Sequence, residues 1–269
     1  MSMALFGVIG VGNMGYPLLK AAIQTFGSNE VIYSDFSEIK RQEVEKATTI
    51  PAIQDNITLV KNCKYLLLAI KPQFFPEVLK EIKDHIREDH ILISIAAGIT
   101  IDTIRKELAK EVKVIRAMPN TPAMVNQGMT GICYSNSEFA EEEKETISRF
   151  FSSYGRYEVF PETLMNAVVC ASGSSPAFVY LFIEALADSA VKYGISRDKA
   201  YLMAAQTVLG AATMVLETGE HPGKLKDNVC SPGGATIAGV CALEEYGLRN
   251  AVLKASDACY ERAEALSKR

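Results

Sequence analysis

Near its start the chain reads Gly7-Val-Ile-Gly10-Val-Gly12-Asn-Met-Gly15, a G-x-G-x-x-G run between a β-rich segment and an amphipathic one. That placement constrains the fold more than any other feature. Gly10 permits a tight turn, Gly12 lets the backbone approach a pyrophosphate, and Gly15 lets the following helix pack closely on the strand. Helix-start N–H groups from Asn13 and Met14 then face the phosphates. The motif predicts a β-α-β unit that holds a dinucleotide.

The alternation continues downstream. Strands are expected at Ala4–Ile9, Val31–Ser34, Tyr65–Ile70, Ile91–Ile95, Val112–Arg116 and, more weakly patterned, Thr130–Tyr134. Helices are expected at Met14–Phe26, Ser37–Lys46, Phe75–Ile86, Ile101–Leu108 and Ala140–Phe151. Strands alternating with helices of this length define an α/β fold, a Rossmann-like doubly wound parallel sheet over residues 1–160. Tyr65-Leu-Leu-Leu-Ala-Ile70 is apolar on both faces, as a strand covered on both sides should be.

From about Glu162 the strand pattern stops. Leu164–Ala171, Ala177–Tyr193, Arg197–Glu217, Ala235–Tyr246 and Arg249–Ser267 read as helices, giving an all-α C-terminal dimerisation domain over 161–269. Ser172-Gly173 is expected to end the first of them. Gly194 falls where a helix C-terminus needs it, and Ser196 where an N-cap should be. Ala167–Ala187 is apolar enough to raise the question of a membrane span. It carries Ser172–Ser175, Pro176 and Glu184, so it reads as two buried helices split by a turn. Met203, Ala204, Thr207, Val208, Gly210, Ala211, Met214 and Val215 make the third helix apolar around most of its circumference, which calls for cover by a partner subunit. An obligate oligomer through this domain is expected.

Composition narrows the function classes. The 269 residues are 48% hydrophobic and 22% charged with a formal net charge of −4, so no basic footprint for nucleic acid is present and no polybasic membrane patch. The six cysteines, at 63, 133, 170, 230, 241 and 259, show neither a C-x-x-C pair nor zinc-ligand spacing, which fits reduced thiols and no metal. The N-terminus lacks a basic n-region and reads as a strand rather than a signal peptide, so a cytoplasmic location is expected.

Further segments carry chemistry. Asp35 ends the second strand, where an acid accepts from a ribose 2′-hydroxyl and favours NAD. The same acid could instead serve a helix N-terminus. Ser34 beside it is neutral, and Lys40 and Arg41 could reach a 2′-phosphate, so NADH and NADPH both stay open. Lys71 and Pro72 follow the most apolar strand, at the sheet edge where open α/β sheets bind ligands. Ile93-Ser-Ile-Ala-Ala97-Gly98 ends another strand in small residues against which a nicotinamide could lie. Met118-Pro-Asn-Thr-Pro122 makes a rigid turn. Lys226-Asp-Asn228-Val-Cys-Ser231-Pro-Gly-Gly234-Ala235-Thr236-Ile237 opens a helix with a Ser-Pro-Gly-Gly loop. Free N–H groups are expected there at Gly234, Ala235 and Thr236, a seat for a substrate carboxylate unless Ser231 or Thr236 caps the helix. The Thr236 hydroxyl can bond a substrate heteroatom.

Taken together, Gly7–Gly15, Leu68-Ala-Ile-Lys-Pro72, Ile115-Arg-Ala-Met-Pro-Asn-Thr-Pro122, Ser172-Gly-Ser-Ser-Pro-Ala177 and Asp227–Ile237 make the chain resemble the pyrroline-5-carboxylate reductases over nearly its whole length. The resemblance implies reduction of the cyclic imine 1-pyrroline-5-carboxylate to L-proline by NADPH or NADH. It implies that Ser231 and the backbone around Gly234, Ala235 and Thr236 hold the carboxylate. Thr236 would bond the ring nitrogen, and Glu162 would lie beside the substrate. It implies a cofactor site lined by Ser34, Asn56, Ala69, Lys71 and Ala97, with Asn228 reaching in from a partner subunit. It also implies interlocked helical dimers, often five to a ring. Two departures stand out: Cys230 where a small polar residue is usual, and Tyr33-Ser-Asp35 in place of a basic pattern. A β-hydroxyacid dehydrogenase would need a lysine general base near the start of the helical half, and Leu164–Ser175 contains none. A dinucleotide-sensing scaffold would not need the Ser231–Thr236 loop.

Overall fold

The computed structural model describes residues 3–267. Seven strands form one sheet: β1 (Ala4–Ile9), β2 (Val31–Ser34), β3 (Cys63–Leu68), β4 (Ile91–Ser94), β5 (Lys113–Met118), β6 (Gly128–Cys133) and β7 (Gly155–Val159). Their order is β2-β1-β3-β4-β5-β6-β7. The first five run parallel, joined by α1 (Gly15–Phe26), α2 (Glu38–Thr48) with the short α3 (Asn56–Lys61), α4 (Phe75–Ile82) and α5 (Ile101–Leu108). β6 runs antiparallel to β5, with Arg116 opposite Cys133, because only a short turn through Thr121–Val125 joins them. α6 (Glu141–Ser152) then crosses over, and β7 returns parallel to β6. The doubly wound reading holds for most of the sheet, with β6 and β7 as an added edge.

Side chains alternate between the two faces of β3, as a strand's period of two requires. Tyr65 and Leu67 join the core with Phe6, Val8, Leu18 and Phe150, while Leu66 and Leu68 join Phe75, Leu79 and Ile104. The reversal of strand order between β1 and β3 opens a crevice at their C-terminal ends.

Some elements depart from the sequence expectations. The third strand stops at Leu68, two residues short, because the chain turns toward Lys71-Pro72. α3 was not expected; Asp55 caps it, its carboxylate accepting the Thr58 N–H at 2.7 Å. Ser172-Gly173 does not end a helix. The chain passes from α7 (Met165–Val168) through a wide turn at Val169–Gly173 into α8 (Ser175–Lys192), one helical stretch from Glu162 to Lys192. Pro176 has no N–H to give the Ser172 carbonyl, and Asn120 Nδ2 donates to that oxygen at 3.0 Å instead. Gly194 adopts φ +94° after α8, as expected of a helix C-terminus.

The chain divides into two compact units. One runs to Ser174 and takes in the chain from Cys259 on; the other is Ser175–Ala258. The second holds α8, α9 (Arg197–Thr218), α10 (Pro222–Val229), α11 (Ala235–Glu245) and most of α12 (Leu248–Ser267). Its buried core is Ala187, Ala200 and Ala204, where small side chains let α8 and α9 approach. Large apolar side chains are left exposed: Tyr180, Leu181 and Phe182 on α8, and Leu202, Leu209 and Met214 on α9. The stretch expected to be buried is therefore mostly bare in the single chain. Glu162–Lys192 and Arg197–Thr218 are long and apolar enough, by length and composition alone, to cross a membrane.

Candidate functional site

The glycine loop follows β1 into α1. Gly10 has φ +91°, and a Cβ there would stand 2.7 Å from the Ala69 carbonyl oxygen. A Cβ on Gly15 would overlap the Gly10 carbonyl oxygen. Neither position accepts any other residue. Gly12 differs: nothing lies within 4 Å of where its Cβ would point. Gly12 and Asn13 are exposed, and the open space in front of them is what a pyrophosphate needs. The residues present fit a dinucleotide.

Neighbouring strand ends hold this loop. The Gly10 N–H donates to the Ser34 carbonyl at 2.9 Å. Asp35 Oδ2 accepts the Val11 N–H at 2.8 Å and Oδ1 accepts the Ser37 N–H at 2.8 Å. Asp35 thus ties the glycine loop to the start of α2, and each carboxylate oxygen already holds one N–H. Ser34 is buried; its hydroxyl donates to Asn56 Oδ1 at 2.7 Å, and Asn56 Nδ2 donates to Glu81 at 2.8 Å. Lys40 is paired with Glu43 at 2.6 Å, and Arg41 Nη1 donates to the Asp35 carbonyl at 3.2 Å. Ala69 is half-buried against the loop, and Lys71 and Pro72 are exposed where the chain leaves β3. A cavity of about 390 Å³ opens beside the loop, lined in part by Val11, Gly12, Asn13, Tyr16, Lys20 and Lys40.

Ala97 is half-buried beyond β4. Glu162 Oε1 accepts the Ile101 N–H at the start of α5, at 2.9 Å, and lies 3.3 Å from Arg116 Nη1. Arg116 is 3% exposed, and its Nε and Nη2 have no partner among the described residues. Burial, helped by the same carboxylate, pushes the Cys133 thiol up to about 11, against the pull of Arg116. Arg116 was missed as a partner of Glu162; the only sequence signal was an arginine in an apolar strand. The motif residue Asn120 is structural, its Oδ1 accepting the Met129 N–H at 2.9 Å.

The remaining expected residues stand on the second unit. Asn228 is exposed on α10, which His221 caps by accepting the Gly223 N–H at 3.0 Å. α10 was not expected, because its proline and glycine read as loop; Pro222 instead takes the first helical position. Ser231 precedes a turn in which Gly233 takes φ +69°. The expectation of three free N–H groups at the α11 start needs one correction: Gly234 donates to the Ser231 carbonyl at 3.0 Å, so its N–H is engaged. No described side chain caps α11, neither Ser231 nor Thr236. Ala235 and Thr236 are exposed in its first turn, which carries no acidic residue. An anion would meet the positive end of the helix there without a competing carboxylate.

A glycine loop at the crevice of a doubly wound sheet, joined to a helical unit, defines a dinucleotide-dependent oxidoreductase. Residues 5–98 match the family described as NADP oxidoreductase coenzyme F420-dependent, and residues 162–266 that described as pyrroline-5-carboxylate reductase dimerisation. The chain is 44% identical to the pyrroline-5-carboxylate reductase of Escherichia coli, over 97% of this chain and 98% of that protein. It is 40% identical to that of Methanosarcina acetivorans, over 98% of each. Among solved structures, a pyrroline-5-carboxylate reductase from Coxiella burnetii superposes with a TM-score of 0.91 at 32% identity, over 100% of both chains. The Plasmodium falciparum pyrroline carboxylate reductase, solved with NADP bound, gives 0.87 at 31% identity over 99% of each. The chain belongs to the pyrroline-5-carboxylate reductase family.

Proposed function

We infer that the chain reduces 1-pyrroline-5-carboxylate to L-proline with NADPH or NADH, the last step of proline biosynthesis. One observation carries this reading: the uncapped, glycine-opened start of α11 in a chain 44% identical, almost end to end, to a reductase of that name. When bound, NAD(P)H would supply a hydride whose electron pair becomes the new C–H bond at the carbon of the protonated imine, while the C=N π pair passes to the ring nitrogen and leaves it an amine.

The chain's own residues bind and orient. Gly10, Gly12, Asn13, Met14 and Gly15 cradle the pyrophosphate. Ser34, Asp35 and Asn56 face the adenosine ribose, and Asp35 acts mainly by bracing the glycine loop through Val11 and Ser37. Ala69, Lys71, Pro72 and Ala97 line the remainder, with Asn228 supplied by a partner subunit. Ser231, Ala235 and Thr236 hold the substrate carboxylate, and Gly234 shapes the turn, since a Cβ there would collide with the Ser231 hydroxyl. Thr236 orients the ring nitrogen; a hydroxyl is too weak an acid to be the main proton source, and a protonated imine needs positioning more than acid. Glu162 lies at the substrate side, held by Ile101 and Arg116.

Residues 1–160 serve the cofactor, and 161–269 the substrate and assembly. The family match over 162–266 and the bare apolar faces of α8 and α9 support helical dimers, with rings of such dimers as the larger form. A second copy covering those faces, rather than lipid, fits a cytoplasmic enzyme with no nucleic-acid or membrane partner. The test is the absorbance of NADPH and NADH on adding pyrroline-5-carboxylate. Oxidation of either supports the assignment; a flat trace with both removes it.

A further inference from the structure

Two large aromatic side chains stand exposed at the mouth of the cofactor crevice. Phe36, directly after Asp35 at the end of β2, is 91% exposed; Phe74, three residues after Lys71 beyond β3, is 42% exposed. Their rings are neighbours, with centroids 6.3 Å apart and planes 46° apart. β2 and β3 lie on either side of β1 in the sheet, so the rings meet across the strand that feeds the glycine loop. They form an open V with apolar faces turned to water.

Both rings sit on braced backbone. Phe36 lies between Asp35 and Ser37, which are joined by the Asp35 Oδ1 bond at 2.8 Å, while Asp35 Oδ2 anchors the turn to Val11. Arg41 adds a bond to the Asp35 carbonyl at 3.2 Å. The Phe74 N–H donates to the Lys71 carbonyl at 3.0 Å, and the adjacent Phe75 is buried in the core. Ser34, two residues before Phe36, bonds Asn56, which in turn bonds Glu81. Exposed aromatic faces on braced backbone, where the chain has left β2 and β3, suit a flat heteroaromatic ring, because such a ring gains stacking there.

We propose that Phe36 and Phe74 form the platform on which the adenine of the dinucleotide stacks, one ring against its face and the other against its edge. This rests on the reading of the glycine loop as the cofactor site. It makes adenine capture a property of two side chains outside the glycine motif, and it acts equally on NADH and NADPH.

The test measures binding by the fluorescence of the reduced nicotinamide, without turnover. Phe36→Ala and Phe74→Ala should each raise the Kd for NADH and NADPH roughly 5- to 20-fold, within the range of base–aromatic stacking. The Phe36→Tyr variant should retain wild-type affinity. ADP-ribose, which keeps the adenine and lacks only the nicotinamide, should lose the same factor as a competitor, whereas reduced nicotinamide mononucleotide, which has no adenine, should bind both variants as it binds the wild type. Unchanged Kd for NADH and NADPH in both alanine variants would overturn the platform. So would an equal loss for reduced nicotinamide mononucleotide, or a change confined to the oligomeric state. A wild-type protein that binds neither dinucleotide would instead remove the cofactor reading itself.

Discussion

Two helix N-termini in this chain are opened by glycines, and they are built differently. At the start of α1 the loop is held against its neighbours everywhere but at Gly12 and Asn13: Gly10 against Ala69, Gly15 against Gly10, Val11 against Asp35. At the start of α11 the turn is held by its own residues, with Gly234 bonded to Ser231 and nothing within 4 Å of a Cβ on Gly233. Ser231, Ala235 and Thr236 remain exposed. The first loop is braced within its own unit. The second presents donors that lack walls, as expected where a second copy completes the site.

The largest effect should separate the two loops. Gly15→Ala places a methyl on a backbone oxygen that cannot yield, and NADPH binding measured by fluorescence should weaken at least ~100-fold, or the protein should fail to fold. Gly12→Ala, with open space around it, should fold with an unchanged Tm yet lose cofactor affinity; an unchanged Kd would show that no pyrophosphate approaches there. Met214→Glu, placing a charge on the bare face of α9, should weaken self-association ~100-fold or more by sedimentation, and NADPH binding should weaken modestly as the Asn228 supplied by a partner subunit is lost. Turnover should fall with the assembly. Full activity in a monomer would mean the second site is complete in one copy. Thr236→Ala should lower kcat/KM roughly 10- to 100-fold through one lost hydrogen bond and looser orientation. Gly233→Ala should cost only about 1 kcal/mol in stability, from φ +69° alone.

The smallest effect lies away from both loops. His90 is fully buried, its Nδ1 accepting the Arg87 N–H at 2.7 Å and its Nε2 3.0 Å from the Val60 and Cys63 carbonyls. Burial, with Arg87 nearby, lowers its pKa from the ordinary 6.5. Its contribution to stability is therefore complete above that value. It declines as pH falls below it, since the unfolded chain takes up the proton first. Tm measured between pH 7.5 and 5 should drop with acidity, and less so in His90→Gln.

Much of this was legible in the residue order. The glycine spacing, the two-faced apolar strand and the shift from period two to helical period near Glu162 each follow from local rules of backbone and burial. Asn56 was named through family likeness alone, while α3, the helix that begins with it, went unread despite Asp55 standing before Ile57, Leu59 and Val60. The wide turn at Val169–Gly173 read as a break, because the Asn120 bond that satisfies the Ser172 carbonyl comes from 52 residues away. Asp35 left two roles open, ribose acceptor or helix-start acid; the bond to the Ser37 N–H lies at the start of α2, and the bond to Val11 belongs to neither role.

A dinucleotide-binding sheet first, then a helical unit with too much apolar surface, can be read from residue order without coordinates. Both depend on spacing along a few turns or strands. Which polar groups are already engaged depends on the folded chain: Asp35 by the glycine loop, Glu162 by Arg116 and Ile101. Partners 24, 46 or 61 residues apart leave no periodic trace, because hydrogen bonds depend on where strand ends meet in space.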